Sequence, residues 1–339
     1  MRIAINGFGR IGRLFFRQAF SNPDFEIVAI NDLGDVKNLA YLLKYDSVYR
    51  TWDEDIKSDP SKGLLIVGGK SINFYQEKDP TKLPWGALHV DVVIESTGVF
   101  ESYEKARVHL DAGAKRVLLT APAKDDDGDI GKTVLIGLNE NKLSTCKISS
   151  NASCTTNAVS PVMAVLSENP GIEKAILSTV HAYTATQSIV DGPVKGDDYR
   201  RGRAAAQNIA PSTTGAATAV GKAMPELLGK FDGIALRVPT VSGSLVDLTF
   251  ISKIRTTADD INRILIAASK EPKWQGILGV TEEQLVSSDI IGMNYASLVD
   301  LKFTKVIDGN LVKVLAWYDN EWGYVTTLIK HLLKIKEVL

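Results

Sequence analysis

Residues 150–158 read SNASCTTNA, and Cys154 in their middle is one of two cysteines in a chain of 339 residues. Most free cysteines behave as small buried hydrophobes, and that reading suits Cys146. Cys154 instead stands among small polar residues, directly before a helix expected from about Thr155. A helix N-terminus stabilises a thiolate and lowers the thiol pKa from about 8.5. The small neighbours keep the sulfur reachable, and Ser153 and Thr155 set hydroxyls on either side of it. This is the setting of a nucleophile, and a thiol nucleophile needs a base. There are four histidines. His89, His109 and His331 lie in charged or amphipathic stretches and read as solvated surface imidazoles. His181 ends the β run ILSTV beside a polar loop, which makes it the leading candidate.

Cations and hydroxyls suited to an anionic substrate occur in the same half. Arg237 sits inside the apolar run ALRVP, where a guanidinium is either paired or faces an anion. Arg200, Arg201 and Arg203 lie in the polar stretch 183–203, long enough to be a functional loop. Residues 211–215, PSTTG, open a helix-like stretch whose hydroxyls and free N–H groups make an anion site.

The N-terminal half carries different chemistry. Gly7, Gly9 and Gly12 form a GxGxxG that follows a strand and opens a helix, and Asp32 ends the next strand. Together these make the dinucleotide fingerprint. Gly7 permits the tight turn, Gly9 leaves room for a pyrophosphate, and Gly12 lets helix and strand pack closely. Asp32 would accept from ribose hydroxyls and repel a 2′-phosphate, which favours NAD over NADP. The segments EST at 95–97, with Gly98, and TAP at 120–122 each end a β run, where open α/β sheets bind ligands.

Elements must position these groups. Residues 2–6, 26–31, 91–96, 116–120, 133–138 and 147–149 read as strands, and 13–20 and 101–113 as helices. Strands alternating with helices imply a mainly parallel sheet covered on both faces. After about residue 150 the texture changes. Runs 175–181, 234–238, 244–254 and 313–318 are β-rich, and 155–168, 259–269 and 322–339 are helical. That pattern predicts a second sheet of antiparallel or mixed style.

Bulk properties narrow the class. A length of 339 residues suggests two domains. The net charge of −1 gives no global pull toward nucleic acid or anionic membranes. Two cysteines make no disulfide framework and fit a reducing, cytoplasmic setting. The start MRIAINGFGR lacks the apolar core of a signal peptide, and no apolar run reaches the ~18–20 residues that span a bilayer. No metal site is expected.

With these pieces in place, the chain resembles the phosphorylating glyceraldehyde-3-phosphate dehydrogenases. The motifs are NGFGRIGR, NDLGDVKNLAYLLKYDSVY, SNASCTTN, TVHAYTATQ, NIAPSTTGAA, LRVPT and WYDNEWGY, in the family's order from end to end. The resemblance implies an α/β fold: a Rossmann-type doubly wound parallel sheet domain (1–152) plus an α+β catalytic domain with a mixed or antiparallel sheet (153–319). The C-terminal helix, 320–339, would pack back on the first. It implies Cys154 as nucleophile and His181 as its base. Arg10, Ile11, Asp32, Lys78, Thr97, Thr120 and Asn320, with the three glycines, would contact NAD. Ser153, Thr155, Thr184, Arg201, Thr214, Gly215 and Arg237 would bind the substrate's phosphate and the attacking inorganic phosphate. A homotetramer is implied, with the loop 183–203 at subunit contacts.

Some positions depart from the family pattern. Ala158 stands where a second cysteine is frequent, Thr120 where Ser is common and Lys78 where Arg is common. The loop around GPVKGDDYRRGR is about one residue longer than in many relatives, and VPTVSGSLVDL replaces the commoner VPTPNVSVVDL. The implied reaction is oxidation of glyceraldehyde 3-phosphate to 1,3-bisphosphoglycerate, through a thiohemiacetal and a thioester. Two rivals stay open: a related dehydrogenase of erythrose 4-phosphate, and a non-catalytic NAD- or RNA-binding module on the same fold.

Overall fold

The structure is a computed structural model that describes residues 1–194 and 196–339. The chain divides into two compact units, residues 1–152 with 325–339, and residues 153–324.

The first unit is built on a nine-stranded sheet. Its order is Gly131–Thr133, Ile148–Ser150, Arg116–Leu119, Val92–Glu95, Arg2–Asn6, Glu26–Asn31, Lys70–Tyr75, Leu64–Val67 and Ile56–Asp59. The first seven of these strands run parallel, and the last two add antiparallel hairpins at one edge. The chain leaves Arg2–Asn6 toward Glu26–Asn31 on one side and reaches Val92–Glu95 on the other. That reversal of strand order is where open α/β sheets bind ligands. Ile3, Ile5, Ala29, Val92, Ile94, Val117 and Leu118 are wholly buried, as expected of central parallel strands. Helix Arg10–Ala19 buries Leu14, Phe15, Phe16 and Ala19 against this sheet's unit, and helix Val36–Lys44 starts from an Asp35 cap.

Two expectations change here. The run 133–138 is not a strand. Pairing stops at Thr133, because Asn139 accepts from the Leu135 N–H (2.7 Å) and donates to the Thr133 carbonyl (3.1 Å), tying off a turn. The stretch 101–113 forms two short helices, Tyr103–Ala106 and Val108–Asp111, rather than one.

The second unit holds a seven-stranded mixed sheet in the order Ala210–Thr213, Phe231–Val238, Ile172–Ala182, Ser244–Ser252, Leu311–Tyr318, Ser297–Ile307 and Leu278–Thr281. Helices Cys154–Glu168 and Ala258–Ser269 cover one face, and the strands alternate accordingly: Leu177, Thr179 and His181 are buried while Ile176 is exposed. The C-terminal helix, Trp322–Lys336, starts where Asp319 accepts from the Glu321 and Trp322 N–H groups (both 2.9 Å). Among the described residues, no helix is long and apolar enough to cross a membrane.

Candidate active site and cofactor site

Ser153 ends the approach to helix Cys154–Glu168 as its N-cap, its hydroxyl accepting from the Thr156 N–H at 3.0 Å. Cys154 is therefore the first helical residue, one earlier than the sequence suggests, and remains partly exposed. Two positions before it, Ala152 holds φ 54°, a left-handed conformation unusual for a residue with a Cβ. His181 comes from strand Ile172–Ala182, and its Nε2 lies 3.4 Å from the Cys154 sulfur. Arg237 is the register partner of His181 on the neighbouring parallel strand, so both side chains leave the same face. Its Nη1 lies 2.8 Å from His181 Nδ1.

His181 Nδ1 also lies 2.6 Å from the Ala182 carbonyl. The tautomer that carries its hydrogen on Nδ1 donates to that carbonyl and leaves Nε2 as a bare acceptor facing the sulfur, while Arg237, which can only donate, meets Nδ1 in the other tautomer. Beneath the imidazole, Tyr318 packs edge-on at 5.9 Å, and its hydroxyl meets Thr155 Oγ1 (3.0 Å) and Thr179 Oγ1 (2.7 Å). The sequence does not announce Tyr318 or Thr179. Their signal is positional, a tyrosine ending one strand and a threonine two residues before His181 on the next but one.

The electrostatics set a neutral resting pair. Burial pushes the Cys154 thiol up, against the pull of Arg237 and of hydrogen bonds from Thr155 and the helix-end backbone. Burial and then Arg237 push His181 down to about 3. Burial lowers Arg237 too, and Arg201 adds to this by repulsion, so the two guanidinium groups lie within electrostatic reach of each other. The helix start therefore moderates the thiol without making it a resting thiolate.

The phosphate candidates fall into neighbouring groups. Arg201 donates to Thr186 Oγ1 (3.1 Å), Ser212 Oγ (2.9 Å) and Asp198 Oδ2 (3.2 Å), and Thr184 Oγ1 meets Thr186 Oγ1 at 2.9 Å. Arg200 and Arg203 stay largely exposed, paired with Asp198 and Asp191. Of the three, Arg201 alone is built into a polar network. Residues 210–213 form a strand, so the expected helix starts later, at Ala216. Thr214 accepts from the Ala216 N–H (3.2 Å), and Gly215 is the uncapped helix start with open space at its Cβ position. Asn320 is held by Ser244, whose hydroxyl donates to Asn320 Oδ1 (2.7 Å) and accepts from the Ala182 N–H (3.1 Å).

In the first unit the glycine loop has the shape the motif demands. Gly7 holds φ 94°, and a Cβ there would stand 2.6 Å from Thr97 N. A Cβ on Gly12 would stand 2.2 Å from the Gly7 carbonyl oxygen. At Gly9 a Cβ would meet nothing within 4 Å, although Gly9 caps the helix. That open cradle sits at a helix start with no side-chain cap and no acidic residue in its first turn, where Arg10 and Ile11 lie. It fits a dinucleotide's pyrophosphate. Arg10 pairs with Asp46 (3.1 Å). Asp32 accepts from the N–H groups of Phe8 (2.6 Å) and Gly34 (2.8 Å), which fixes its carboxylate beside the loop. Lys78 is exposed just past the strand next to Asp32. Thr97 and Thr120 turn their hydroxyls onto Glu95, at 2.5 Å to Oε1 and 3.1 Å to its carbonyl.

Two histidines depart from expectation. His109 and His331 are wholly buried, because each ring nitrogen has a polar partner. His109 meets Trp85 and Glu95, and His331 meets Asn151 (3.0 Å) and Ser149 (2.9 Å).

The doubly wound sheet with its glycine loop, and the second unit with its thiol and imidazole, define a two-unit NAD-dependent oxidoreductase. Residues 1–103 match the NAD binding domain of glyceraldehyde 3-phosphate dehydrogenase, and residues 153–320 match its C-terminal domain. The chain is 49% identical over 336 residues to glyceraldehyde-3-phosphate dehydrogenase of Borreliella burgdorferi, covering 97% of this chain and 98% of that one. It is 47% identical to glyceraldehyde-3-phosphate dehydrogenase 3 of Saccharomyces cerevisiae (98% and 99% covered) and 48% identical to the enzyme of Geobacillus stearothermophilus (96% and 95%). The chain belongs to the glyceraldehyde-3-phosphate dehydrogenase family, and its cofactor is NAD.

Proposed function

We propose that this chain oxidises glyceraldehyde 3-phosphate and delivers the acyl group to inorganic phosphate, forming 1,3-bisphosphoglycerate, with Cys154 as nucleophile and His181 as acid–base. The 3.4 Å approach of Cys154 Sγ to His181 Nε2 carries this reading. The sulfur attacks the aldehyde carbon while His181 passes the thiol proton to the carbonyl oxygen, giving a thiohemiacetal. Because the resting pair is neutral, proton transfer accompanies C–S bond formation rather than preceding it. His181 then takes the hydroxyl proton as hydride leaves the carbon, and a thioester remains on Cys154. NAD, when bound, supplies the hydride acceptor. Phosphate attacks the thioester, the C–S bond breaks, and His181 returns a proton to the sulfur.

Arg237, Arg201, Thr184, Thr214, Gly215, Ser153 and Thr155 supply two anion positions, one for the substrate's phosphate and one for the attacking phosphate. Gly7, Gly9, Arg10, Ile11, Gly12, Asp32, Lys78, Thr97, Thr120 and Asn320 hold NAD. Residues 1–152 and the C-terminal helix serve the cofactor, and 153–319 the chemistry. The outer face of the mixed sheet exposes Ile176 and Ile234 on adjacent strands, which supports a homo-oligomer, read as a tetramer. The setting is cytoplasmic, as part of glycolysis or gluconeogenesis.

NADH formation tests the reading. Glyceraldehyde 3-phosphate is expected to turn over faster than erythrose 4-phosphate, and Cys154→Ser to lose at least 10³-fold in rate while binding NAD normally. Preference for the four-carbon sugar, or full activity in the serine variant, refutes it.

A further inference from the structure

Across the carboxyl ends of the parallel strands in the first unit runs a continuous line of buried polar side chains. The Glu77 N–H donates to Asn31 Oδ1 (2.9 Å), Asn31 Nδ2 to Asn6 Oδ1 (2.7 Å), and Asn6 Nδ2 to Glu95 Oε2 (2.6 Å). From the other side Trp85 Nε1 donates to His109 Nδ1 (3.1 Å), and His109 Nε2 meets Glu95 Oε2 at 2.9 Å. Asn6, Asn31, Glu95, His109 and Trp85 are all at most 5% exposed.

The directions are fixed by chemistry. An indole N–H can only donate, so His109 Nδ1 is bare and its Nε2 carries the hydrogen that Glu95 accepts. A backbone N–H can only donate, so Asn31 turns its oxygen to Glu77 and its amide to Asn6, which in turn aims its own amide at Glu95. The hydrogen bonds that link the side chains run toward Glu95 from both ends, and the Asn31 amide also donates back to the Glu77 carbonyl (3.0 Å). Oε1 takes the remaining two, the Thr97 N–H (2.8 Å) and hydroxyl. Four donors thus meet the four acceptor positions of one carboxylate, which is why a charged side chain tolerates this depth.

The line follows the sheet order, and its members adjoin the cofactor turns. Asn6 precedes Gly7, Asn31 precedes Asp32, Glu77 precedes Lys78, and Glu95 holds Thr97. The Gly7 turn packs directly on Thr97, with no room for a Cβ. Moving any member shifts the turn attached to it. Ordinary core packing would need none of these polar groups, since apolar side chains of similar shape fill such space at no desolvation cost.

We propose that Asn31, Asn6, Glu95, His109 and Trp85 form a positioning string that sets the spacing of the NAD-binding turns, and so the affinity for NAD, without touching the reacting atoms. Calorimetric titration of the full enzyme with NAD, alongside thermal melting and kcat at saturating NAD, tests it. Asn31→Ala is expected to raise the NAD dissociation constant about tenfold, leaving kcat within twofold. Trp85→Phe, which removes one N–H donor and keeps the aromatic core, is expected to raise it about threefold. An unchanged dissociation constant with a lowered melting temperature overturns the proposal, leaving only a structural role. So does a fall in kcat at unchanged affinity. Should Asn31→Ala fail to fold, Trp85→Phe decides alone by the same readings.

Discussion

Cys154 and His181 rest as a neutral pair because both are buried, and the charge of Arg237 bears on both members. Its charge opposes the effect of burial on the thiol and adds to the effect of burial on the imidazole. The thiolate population therefore rises with pH from a raised pKa, without a plateau between pH 5 and 8. Alkylation of the free enzyme by iodoacetamide is expected to accelerate through the alkaline range. Arg237→Leu raises the thiol pKa further and slows alkylation at pH 7. A rate already flat above pH 5 would mean a resting thiolate–imidazolium pair. The two residues that meet at 3.4 Å are the pair the sequence singles out, through a thiol in a small polar run and a histidine at a strand end. The burial of His109 and His331 was not legible. A histidine in an amphipathic stretch reads as exposed until its partners are known: Glu95 lies on the strand 14 residues before His109, and Asn151 lies 180 residues before His331.

The glycine loop shows which parts of an element serve packing and which serve a ligand. Gly12→Ala forces a Cβ to within 2.2 Å of the Gly7 carbonyl oxygen, an overpacking costing about 1–3 kcal/mol or more. Gly9→Ala places a methyl group in open space. The first variant is expected to melt at lower temperature. The second should melt as the parent does but show a KM for NAD raised at least tenfold. Equal melting temperatures for both variants, or an unchanged KM for Gly9→Ala, would contradict these assignments. The strands flanking this loop are legible because buried parallel strands are continuous apolar runs. The hairpins of residues 56–75 are not, since Ile56–Asp59 and Lys70–Tyr75 carry polar residues suited to a sheet edge. Strand Ser297–Ile307 also goes unread, although VDLKFT at 299–304 alternates, and its pairing shifts register between Asp300 and Lys305.

At the scale of the whole molecule, one unit carries the glycine loop of a dinucleotide site, and on the proposed function the other carries covalent chemistry on an anionic aldehyde. Sequence texture changes near residue 150, while the two compact units part at Ala152 and Ser153 and the chain returns to the first at Val325, not at 320. What composition could not reveal is the apolar outer face of the mixed sheet, because Ile176 and Ile234 look like core residues until the strands are assembled. On the proposed mechanism, oxidation and phosphate transfer are separate steps joined by a thioester on Cys154. Rapid mixing of the NAD-loaded enzyme with glyceraldehyde 3-phosphate, without phosphate, measures this directly. A burst of NADH of up to one equivalent per chain is expected, with an acyl group on Cys154 by mass spectrometry and steady turnover only once phosphate is added. Steady NADH formation at the full rate without phosphate, or no acyl group on Cys154, would contradict it.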